Sequence, residues 1–338
     1  MKILLIRQIR KSNFSHTIQQ YVTKFPSSVL SGGVPATYIL ELDYSEYLDE
    51  ALHDAYELRE QLALNETLDR NQRVWYILKV ALAERGYGIR LFSTMHELEQ
   101  IFLEWEPSND KGSDSGNDKE EENDDDDGGD GDGVAVNQMR QFVVQEYMTH
   151  PMLVDNKKFH LRVYVVTSGA LKIWVYTGIL ALFAKDTYMH PSEDISLLRH
   201  LTNTCFGYKK SVAQPFVTTL DLLPLESHLK LKIREQINSL VVDLFKAALG
   251  QPTQFQPLPN AFEIYGLDFL PCETGELKLL EVNAYPDFKQ SGEDLGDVIS
   301  GLFERVVQNV VAPYFNVSEP AAKQEDFELV LDENMHHF

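Results

Sequence analysis

Apolar residues occupy every second position from residue 159 to 165, and this alternation predicts a β-strand over 159–167 with one buried face. Lys158, His160 and Arg162 fall on the opposite face, where three cationic or titratable side chains would line one site. A turn at Ser168-Gly169 leads to a second strand. Further strands are predicted at residues 74–79, 141–148 and 171–176.

Longer segments carry apolar residues at the spacing of a helix. They cover residues 43–65, 94–105, 229–248 and 294–309, and Gly250 and Pro252 end the third of them. Residues 1–35 mix strand-like and helical patterns. Because strands grouped in hairpins are interleaved with a few helices, the sequence predicts an α+β fold rather than a regular parallel α/β sheet.

Two apolar runs, residues 262–270 and 279–286, flank a short polar break and predict a β-hairpin. A two-residue turn at Thr274-Gly275 would place Asp268 opposite Glu281, about 5 Å away, with Asn283 on the same face. The two carboxylates would repel each other unless a cation lay between them, and Asn283 adds a carbonyl oxygen to a ligand set suited to Mg²⁺. The alternative is a hairpin with a solvated acidic face.

The 338-residue chain has a net charge of −22, and much of this charge lies in one segment. Residues 108–133 contain twelve acidic residues and two lysines but no large apolar residue, so burial could not offset the entropy cost of ordering them. We predict a disordered acidic loop that is either a solvating insertion or a docking site for a basic partner. The acidic balance argues against nonspecific nucleic-acid binding, which needs cationic side chains.

Hydrophobic residues make up 43% of the chain, enough for one large domain or two smaller ones. No run of eighteen apolar residues occurs, so the sequence predicts no membrane span. Cys205 and Cys272 lie far apart and lack metal-finger spacing, which favours a reducing compartment, the cytoplasm or the nucleus.

Lys79 ends a predicted strand just before a loop that contains Gly86 and Gly88. A lysine at this position could reach phosphate oxygens while the glycines let backbone N–H groups approach them. The Gly-Lys-Ser/Thr ending of the Walker pattern is missing. The alternative is a lysine that is merely solvated.

Two further segments carry candidate chemistry. The end of the strand at residues 145–148 could offer backbone groups to an adenine edge, in an apolar slot made by Tyr147 and Met148, or it could be a plain core strand. His200 lies in a polar loop with Thr202 and Asn203, where a histidine can be a general base, a substrate contact or an exposed residue.

The order of these pieces adds information that none of them carries alone. They are Lys79, Arg85-Gly-x-Gly-Ile89, Gln145-Glu-Tyr-Met148, Lys158-Phe-His-Leu-Arg162, His200-Leu-Thr-Asn203, Gly266-x-Asp268 and Glu281-Val-Asn283. With these motifs, from roughly residue 73 to 312, the chain resembles the tubulin-tyrosine ligase-like family of ATP-grasp ligases. Within that family it is more closely similar to the ligase-like module of a fungal processing-body-associated protein.

The resemblance implies a role for each candidate residue. Mg²⁺ would be held by Asp268, Glu281 and Asn283. The catalytic residues would be Arg162 at the terminal phosphate, with His200 and Asn203 near the reacting groups. The residues implied to hold ATP are Lys79, Arg85, Gly86, Gly88, Gln145, Glu146, Tyr147, Met148, Lys158, His160 and Thr202.

Two positions depart from the family's motifs. His160 stands where the family has the aspartate of Lys-Phe-Asp-x-Arg, a ribose contact, and Thr177 stands, in an ungapped comparison, where the family has an arginine near the terminal phosphate. Loss of one cation that stabilises a transition state can slow a reaction by several powers of ten. ATP binding without efficient turnover is therefore one expectation.

The resemblance also implies an organisation: a truncated N-terminal region (1–72), a central subdomain (73–150), a C-terminal subdomain (151–315) and a tail (316–338). The leading function is ATP-dependent ligation of an amino acid to a protein carboxylate, such as a tubulin-like tail, through an acyl phosphate. The alternative is a noncatalytic scaffold for mRNA decapping factors, and a third possibility is kinase-like or hydrolytic use of the nucleotide. The expected location is the cytoplasm, with processing bodies as the finer expectation and no membrane or nucleic acid as direct partner.

Overall fold

The computed structural model describes residues 11–81, 88–105, 141–202, 216–286, 288, 295–317 and 326–333. The acidic segment predicted to be disordered, residues 108–133, and the candidate residues Arg85, Gly86 and Asn203 lie outside these ranges. The helices are α1 (Lys11–Lys24), α2 (Leu30–Gly33), α3 (Leu48–Asp54), α4 (Tyr56–Asn65), α5 (Met95–Trp105), α6 (Leu197–His200), α7 (Ser227–Leu249), α8 (Gly296–Val306) and α9 (Ala312–Tyr314). The strands are β1 (Thr37–Glu41), β2 (Tyr76–Val80), β3 (Arg90–Phe92), β4 (Gln141–Glu146), β5 (Leu153–Val154), β6 (Lys157–Ser168), β7 (Lys172–Tyr176), β8 (Leu180–Phe183), β9 (Val217–Thr219), β10 (Phe262–Pro271), β11 (Leu277–Asn283) and β12 (Phe327–Asp332).

The strands form two sheets. A four-stranded sheet has the order β1-β4-β2-β3, and an eight-stranded sheet has the order β11-β10-β6-β7-β12, with β5 and β8 beside β6 and with β9 beside β8. Every strand pair within the described ranges is antiparallel. The predicted α+β class is confirmed.

Several predicted elements have different bounds in the structure. The helix predicted at residues 43–65 is a 3₁₀ turn (Ser45–Tyr47) followed by α3 and α4, which are separated at Ala55, where ψ of 50° leaves the helical region. The break keeps Leu52 and Leu58, one from each helix, in the same core. The helix predicted at 294–309 is α8, which continues as a π-helix over Val307–Val311.

The apolar residues form two main cores. One side of the eight-stranded sheet packs against α1, α2 and α7, so Phe14 and Ile18 of α1 share a core with Phe159 of β6. The four-stranded sheet packs against α3, α4 and α5 in a second core, which joins Leu40, Leu52 and Leu58 to Tyr76, Phe102 and Phe142. Residues on both sides of position 72 share the second core, because β1, α3 and α4 pack with β2 and β4. The chain leaves the four-stranded sheet at the end of β4 and enters the eight-stranded sheet at β5. The domain boundaries at residues 72 and 150 stay predictions.

The turn of the β10–β11 hairpin is one residue longer than predicted. Cys272 N donates to Glu276 O (2.8 Å) and Gly275 N donates to Cys272 O (2.9 Å), so the loop is Glu273-Thr274-Gly275, with Gly275 at a φ of +78°. Only glycine adopts that φ without strain, which suits a three-residue hairpin loop. The predicted two-residue turn is wrong, and by itself it would have shifted the strand register.

A β-bulge between Phe269 and Asp268 restores the register. Phe269 pairs with Leu279, whereas Asp268 pairs with Glu281, so Leu280 is the extra residue. Leu279 and Val282 consequently both face the core between the eight-stranded sheet and α1, α2 and α7, which we call the main core, and Glu281 lies on the opposite face. The predicted juxtaposition of Asp268 and Glu281 is confirmed, but by two deviations that compensate each other.

Within the described ranges, no helix combines the length and the apolar character that a bilayer crossing requires.

Candidate functional site

The polar face of β6 carries three buried side chains in a row. Lys158, His160 and Arg162 lie on one face, while Phe159 and Leu161 lie in the main core on the other. This is the alternation predicted from the sequence. The three residues are 6%, 3% and 8% exposed, which is unusual for ionisable residues. Their charge states therefore depend on the groups that contact them.

Arg162 is paired with Asp268 across neighbouring strands. The two residues are direct partners in the β6–β10 ladder. Arg162 Nε donates to Asp268 Oδ1 (2.5 Å), and Nη2 donates to Oδ2 (2.9 Å), a bidentate contact between two buried groups. Burial alone would lower the pKa of Arg162, but the Asp268 carboxylate outweighs it and raises that pKa, so the guanidinium stays charged.

Gly266 makes room for this pair. A Cβ at Gly266 would lie 2.9 Å from Pro286 Cβ, closer than real Cβ atoms approach, and 3.2 Å from Arg162 Cδ, tighter than most Cβ contacts. The Arg162 side chain therefore lies over the backbone of β10, and the glycine of the Gly266-x-Asp268 motif is needed for close approach, not for a turn.

Glu281 and Asn283 complete the predicted oxygen cluster. Asn283 Nδ2 donates to Glu281 Oε1 (3.3 Å) and to Asp268 Oδ2 (3.4 Å), so the three side chains predicted as metal ligands are brought together. The amide nitrogen of Asn283 faces the two carboxylates here, and with the amide turned so that its oxygen faced them the donor set would fit Mg²⁺. In the part of the chain that the structure describes, no group of three His, Cys, Asp or Glu side chains has metal-binding geometry. Both Asp268 oxygens already accept hydrogen bonds from Arg162, whereas the Glu281 carboxylate accepts a hydrogen bond from Asn283. Glu281 is therefore the carboxylate with more capacity left for a metal ion.

His160 is a neutral imidazole. Burial and the positive charge of Arg162 lower the pKa of His160 to about 3. Its Nδ1 shares a hydrogen bond with Thr202 Oγ1 (2.6 Å), and its buried Nε2 lies 3.6 Å from Asp268 Oδ1 with no hydrogen-bond partner among the described residues. Because the ring is uncharged, this contact is not an ion pair, and His160 gives the site neither the charge nor the two acceptor oxygens of an aspartate.

Two lysines reach this region from different sheets. Lys79 of β2 donates from Nζ to Gln145 Oε1 (2.8 Å), and Gln145 Nε2 bonds Thr37, which fixes the amide orientation. Lys158 Nζ donates to Tyr147 Oη (3.0 Å) and lies 4.2 Å from the centre of the Tyr147 ring. Burial, with a further contribution from the charge of Lys79, lowers the pKa of Lys158 to about 7.

The strand end predicted to meet adenine is partly occupied by its own sheet. The N–H groups of Glu146 and Tyr147 donate to the carbonyls of Ala36 and Trp75, each at 2.8 Å. The edge of a base would therefore have to meet this strand at Met148. Gly88 has a φ of +67°, a conformation that favours glycine.

His200 supports the site from behind. Its ring is 1% exposed, its Nδ1 lies 2.8 Å from Tyr147 Oη, and its Nε2 lies 2.6 Å from the backbone carbonyl of Asp194. Both ring nitrogens are engaged within the protein, and the predicted catalytic role of His200 stays a prediction. Burial lowers the pKa of His200 to about 4, which the hydrogen bond to the Asp194 carbonyl offsets only in part.

Two features of the site were not predicted from the sequence: the packing of Tyr188 and the hydrogen bonds of the Tyr147 hydroxyl. Tyr188 packs at 90° to the His200 ring, with the ring centres 5.7 Å apart, and its hydroxyl donates to the Thr149 carbonyl (2.6 Å). The Tyr147 hydroxyl links Lys158 to His200, whereas the sequence suggested only an apolar slot. No local pattern could have found Tyr188, because it lies in an irregular segment between β8 and α6.

Thr177 lies directly after β7. Its N–H donates to Asp326 O, and Arg234 of α7 donates from Nη1 to its carbonyl (3.0 Å). Arg234 is already paired with Asp221. This cation is therefore not available to replace the arginine expected at position 177.

Comparison with known proteins extends the structural description. The model of the tubulin-tyrosine ligase family matches residues 4–319. The "Probable tubulin–tyrosine ligase PBY1" of Saccharomyces cerevisiae is 42% identical over 320 residues, which are 91% of this chain and 42% of that protein. The "Probable tubulin–tyrosine ligase C12B10.04" of Schizosaccharomyces pombe is 40% identical over 313 residues, 92% of this chain and 76% of that protein. The chain thus spans less than half the length of the budding-yeast relative.

A solved structure matches the fold. The C-terminal domain of K. lactis Pby1, an ATP-grasp enzyme interacting with the mRNA decapping enzyme Dcp2, superposes with a TM-score of 0.69 and 35% identity, covering 99% of this chain and 81% of that one. The predicted ATP-grasp fold is confirmed. With a family match over nearly its whole length and two relatives at 40% identity or more, this chain belongs to the tubulin-tyrosine ligase family.

Proposed function

We propose that the chain binds Mg·ATP between its two sheets and uses it to join an amino acid to a protein carboxylate. The observation that carries the proposal is the convergence of cations and oxygen ligands in one place. Lys79 comes from the four-stranded sheet, and Lys158 and Arg162 come from the eight-stranded sheet beside the Glu281 oxygens. Cations can neutralise phosphate oxygens, while hard oxygen ligands suit Mg²⁺.

Each residue has a defined task in this function. When bound, ATP supplies the phosphoryl group that converts the acceptor carboxylate into an acyl phosphate, from which an attacking amine displaces phosphate to form the amide. Lys79, Lys158 and Arg162 bind and orient anionic oxygens, and Asp268, Glu281 and Asn283 would hold the metal. The protein contributes positioning and charge neutralisation, which together lower the barrier to such reactions more than other effects do.

We expect Mg·ATP to stabilise the protein against thermal unfolding. A ligand at a hundred times its dissociation constant adds about 2.7 kcal/mol to the free energy of unfolding. Glu281→Gln should lose most of this gain because it removes a metal-binding charge without unpairing Arg162, while Glu273→Gln, in the exposed turn of the same hairpin, should keep it. Wild-type protein that Mg·ATP does not stabilise, or Glu281→Gln protein stabilised as strongly as wild type, would contradict the nucleotide site.

We expect the nucleotide-bound protein to transfer a labelled amino acid to a protein acceptor. The measurement is incorporation of radioactive Tyr, Glu or Gly into acid-insoluble protein of a cell extract supplied with Mg·ATP, with Glu281→Gln protein as the control. Label that depends on Mg·ATP and is lost in the variant supports ligation. Nucleotide binding without labelled product contradicts ligation of these three amino acids.

A second candidate function is a docking scaffold for mRNA decapping factors. It is favoured by His160, a neutral residue where the family has a carboxylate, and by the interaction of K. lactis Pby1 with Dcp2. Calorimetric binding of Dcp2 that is equally strong for wild-type and Glu281→Gln protein, together with a negative ligation assay, would support this function over the first.

A further inference from the structure

A chain of three hydrogen bonds runs from Lys158 into the protein interior. Lys158 Nζ lies 3.0 Å from Tyr147 Oη, Tyr147 Oη lies 2.8 Å from His200 Nδ1, and His200 Nε2 lies 2.6 Å from the Asp194 carbonyl oxygen. Tyr147 and His200 are 5% and 1% exposed, so the contact between them lies away from bulk solvent. The chain joins the end of β4 and helix α6 to β6.

The chemistry of the groups fixes the direction of every proton in this chain. A backbone carbonyl only accepts, so His200 Nε2 carries the hydrogen and donates it to Asp194 O. With its hydrogen on Nε2, His200 offers Nδ1 as an acceptor for the Tyr147 hydroxyl hydrogen. The Tyr188 hydroxyl also faces Tyr147, and its own hydrogen goes to the Thr149 carbonyl. The Tyr147 oxygen is left to accept from the ammonium group of Lys158. Every hydrogen bond is therefore donated in the direction from Lys158 toward Asp194, and every acceptor faces the Lys158 side.

The surroundings of Lys158 make this acceptor important. The ionisable groups that face it are Lys79 from β2, His160 from β6 and the Cys272 thiol at the end of β10, besides Tyr147 and His200. Burial raises the pKa of the Cys272 thiol, so it is neutral. Within the described residues no carboxylate lies within 4.0 Å of Lys158 Nζ. The Tyr147 hydroxyl and the face of its ring are therefore the groups that favour the charged lysine.

We propose that Tyr147 and His200 are positioning residues of the nucleotide site, which hold the Lys158 ammonium in place for an anionic phosphate oxygen. This inference rests on the proposed function for the identity of the anion. The hydrogen-bond chain is a property of the protein without nucleotide. A neutral partner has an advantage over a carboxylate here, since it fixes the ammonium without cancelling its charge.

Three substitutions test the chain one link at a time. Tyr147→Phe deletes the hydroxyl and keeps the ring under Lys158. His200→Asn places an amide oxygen near the position of Nδ1, where it can still accept from Tyr147, whereas His200→Leu has a similar size and cannot accept. Two readouts are measured for each: the calorimetric dissociation constant for Mg·ATP between pH 6 and 9, and the titration of Lys158 by NMR of ¹³C-labelled lysine in nucleotide-free protein.

We expect Tyr147→Phe to weaken Mg·ATP binding about 10-fold at pH 7.5 and to lower the pKa of Lys158 by about 1, because one hydrogen bond to a charged group is lost. The affinity loss should grow as pH rises, since fewer lysines are protonated. His200→Leu should behave like Tyr147→Phe, while His200→Asn should stay within about 3-fold of wild type because the acceptor is restored. A purely structural role would not separate Asn from Leu in this way.

The two readouts separate the inference from the proposed function. Wild-type protein that does not bind Mg·ATP overturns the proposed function. The titration of Lys158 then still tests the hydrogen-bond chain by itself. An unchanged Lys158 titration in Tyr147→Phe protein overturns the inference. So does Mg·ATP affinity within about 2-fold of wild type in both Tyr147→Phe and His200→Leu protein, a difference below one hydrogen bond.

Discussion

Replacing Lys158 with methionine is expected to stabilise the nucleotide-free protein and to abolish its response to Mg·ATP. Lys158 is buried without a carboxylate partner among the described residues, and burial lowers its pKa from 10.5 to about 7. That shift corresponds to a desolvation cost of at most about 5 kcal/mol, which methionine of similar length avoids. Loss of the ammonium should weaken Mg·ATP binding by about 100-fold or more.

The pH dependence gives this prediction a definite sign. Between pH 7 and 10.5 the unfolded chain binds a proton at Lys158 that the folded chain does not. The free energy of unfolding of the wild-type protein therefore rises with pH over this range. The advantage of Lys158→Met should accordingly be largest below pH 7 and shrink toward pH 10.5. Urea unfolding at several pH values measures it.

A neighbouring lysine provides the matched control. Lys157, also on β6, is half-buried and donates to the Lys185 carbonyl (2.8 Å). Lys157→Met should neither stabilise the protein in this pH-dependent way nor weaken Mg·ATP binding. A Lys158→Met protein that is less stable than wild type at pH 6, or that still binds Mg·ATP at wild-type affinity, would refute the assignment of Lys158.

The alternation along β6 shows what a sequence can specify about such a site. Side chains in a strand alternate regardless of the rest of the fold, so the shared face of Lys158, His160 and Arg162 was predictable and is confirmed. Pairing of Asp268 with Glu281 was also predicted, although the argument used the wrong turn. The bulge at Leu280 depends on a core that needs both Leu279 and Val282, and local sequence does not specify that core.

The role of His200 shows what a sequence cannot specify. A histidine in a polar loop is compatible with catalysis, binding or exposure, and its function depends on which groups meet its two nitrogens. Here those groups are Tyr147 and the Asp194 carbonyl, 53 and 6 residues away. The same applies to the predicted metal cluster: the cation beside Asp268 is the guanidinium of Arg162, which lies 106 residues away.

The pair of Arg162 and Asp268 should be strongly coupled in stability. Each is buried, and each oxygen of Asp268 accepts from a different nitrogen of Arg162. Asp268→Ala or Arg162→Met leaves an uncompensated buried charge, at an expected cost of about 3 to 5 kcal/mol. The double substitution Arg162→Met with Asp268→Leu removes both charges, so its cost should fall well below the sum of the two single costs.

A double-mutant cycle from urea unfolding measures this coupling, and Arg234 with Asp221 is the matched control pair. There too one arginine donates to both carboxylate oxygens (2.8 and 2.9 Å), but the Asp221 side chain is 66% exposed, so its coupling should stay below about 1 kcal/mol. We expect about 3 kcal/mol for Arg162 with Asp268. Additive costs for Arg162 and Asp268 would mean that each charge is solvated by itself and does not depend on the other. Strong coupling means that a ligand engaging only one of the two groups would leave the other charge buried and unpaired.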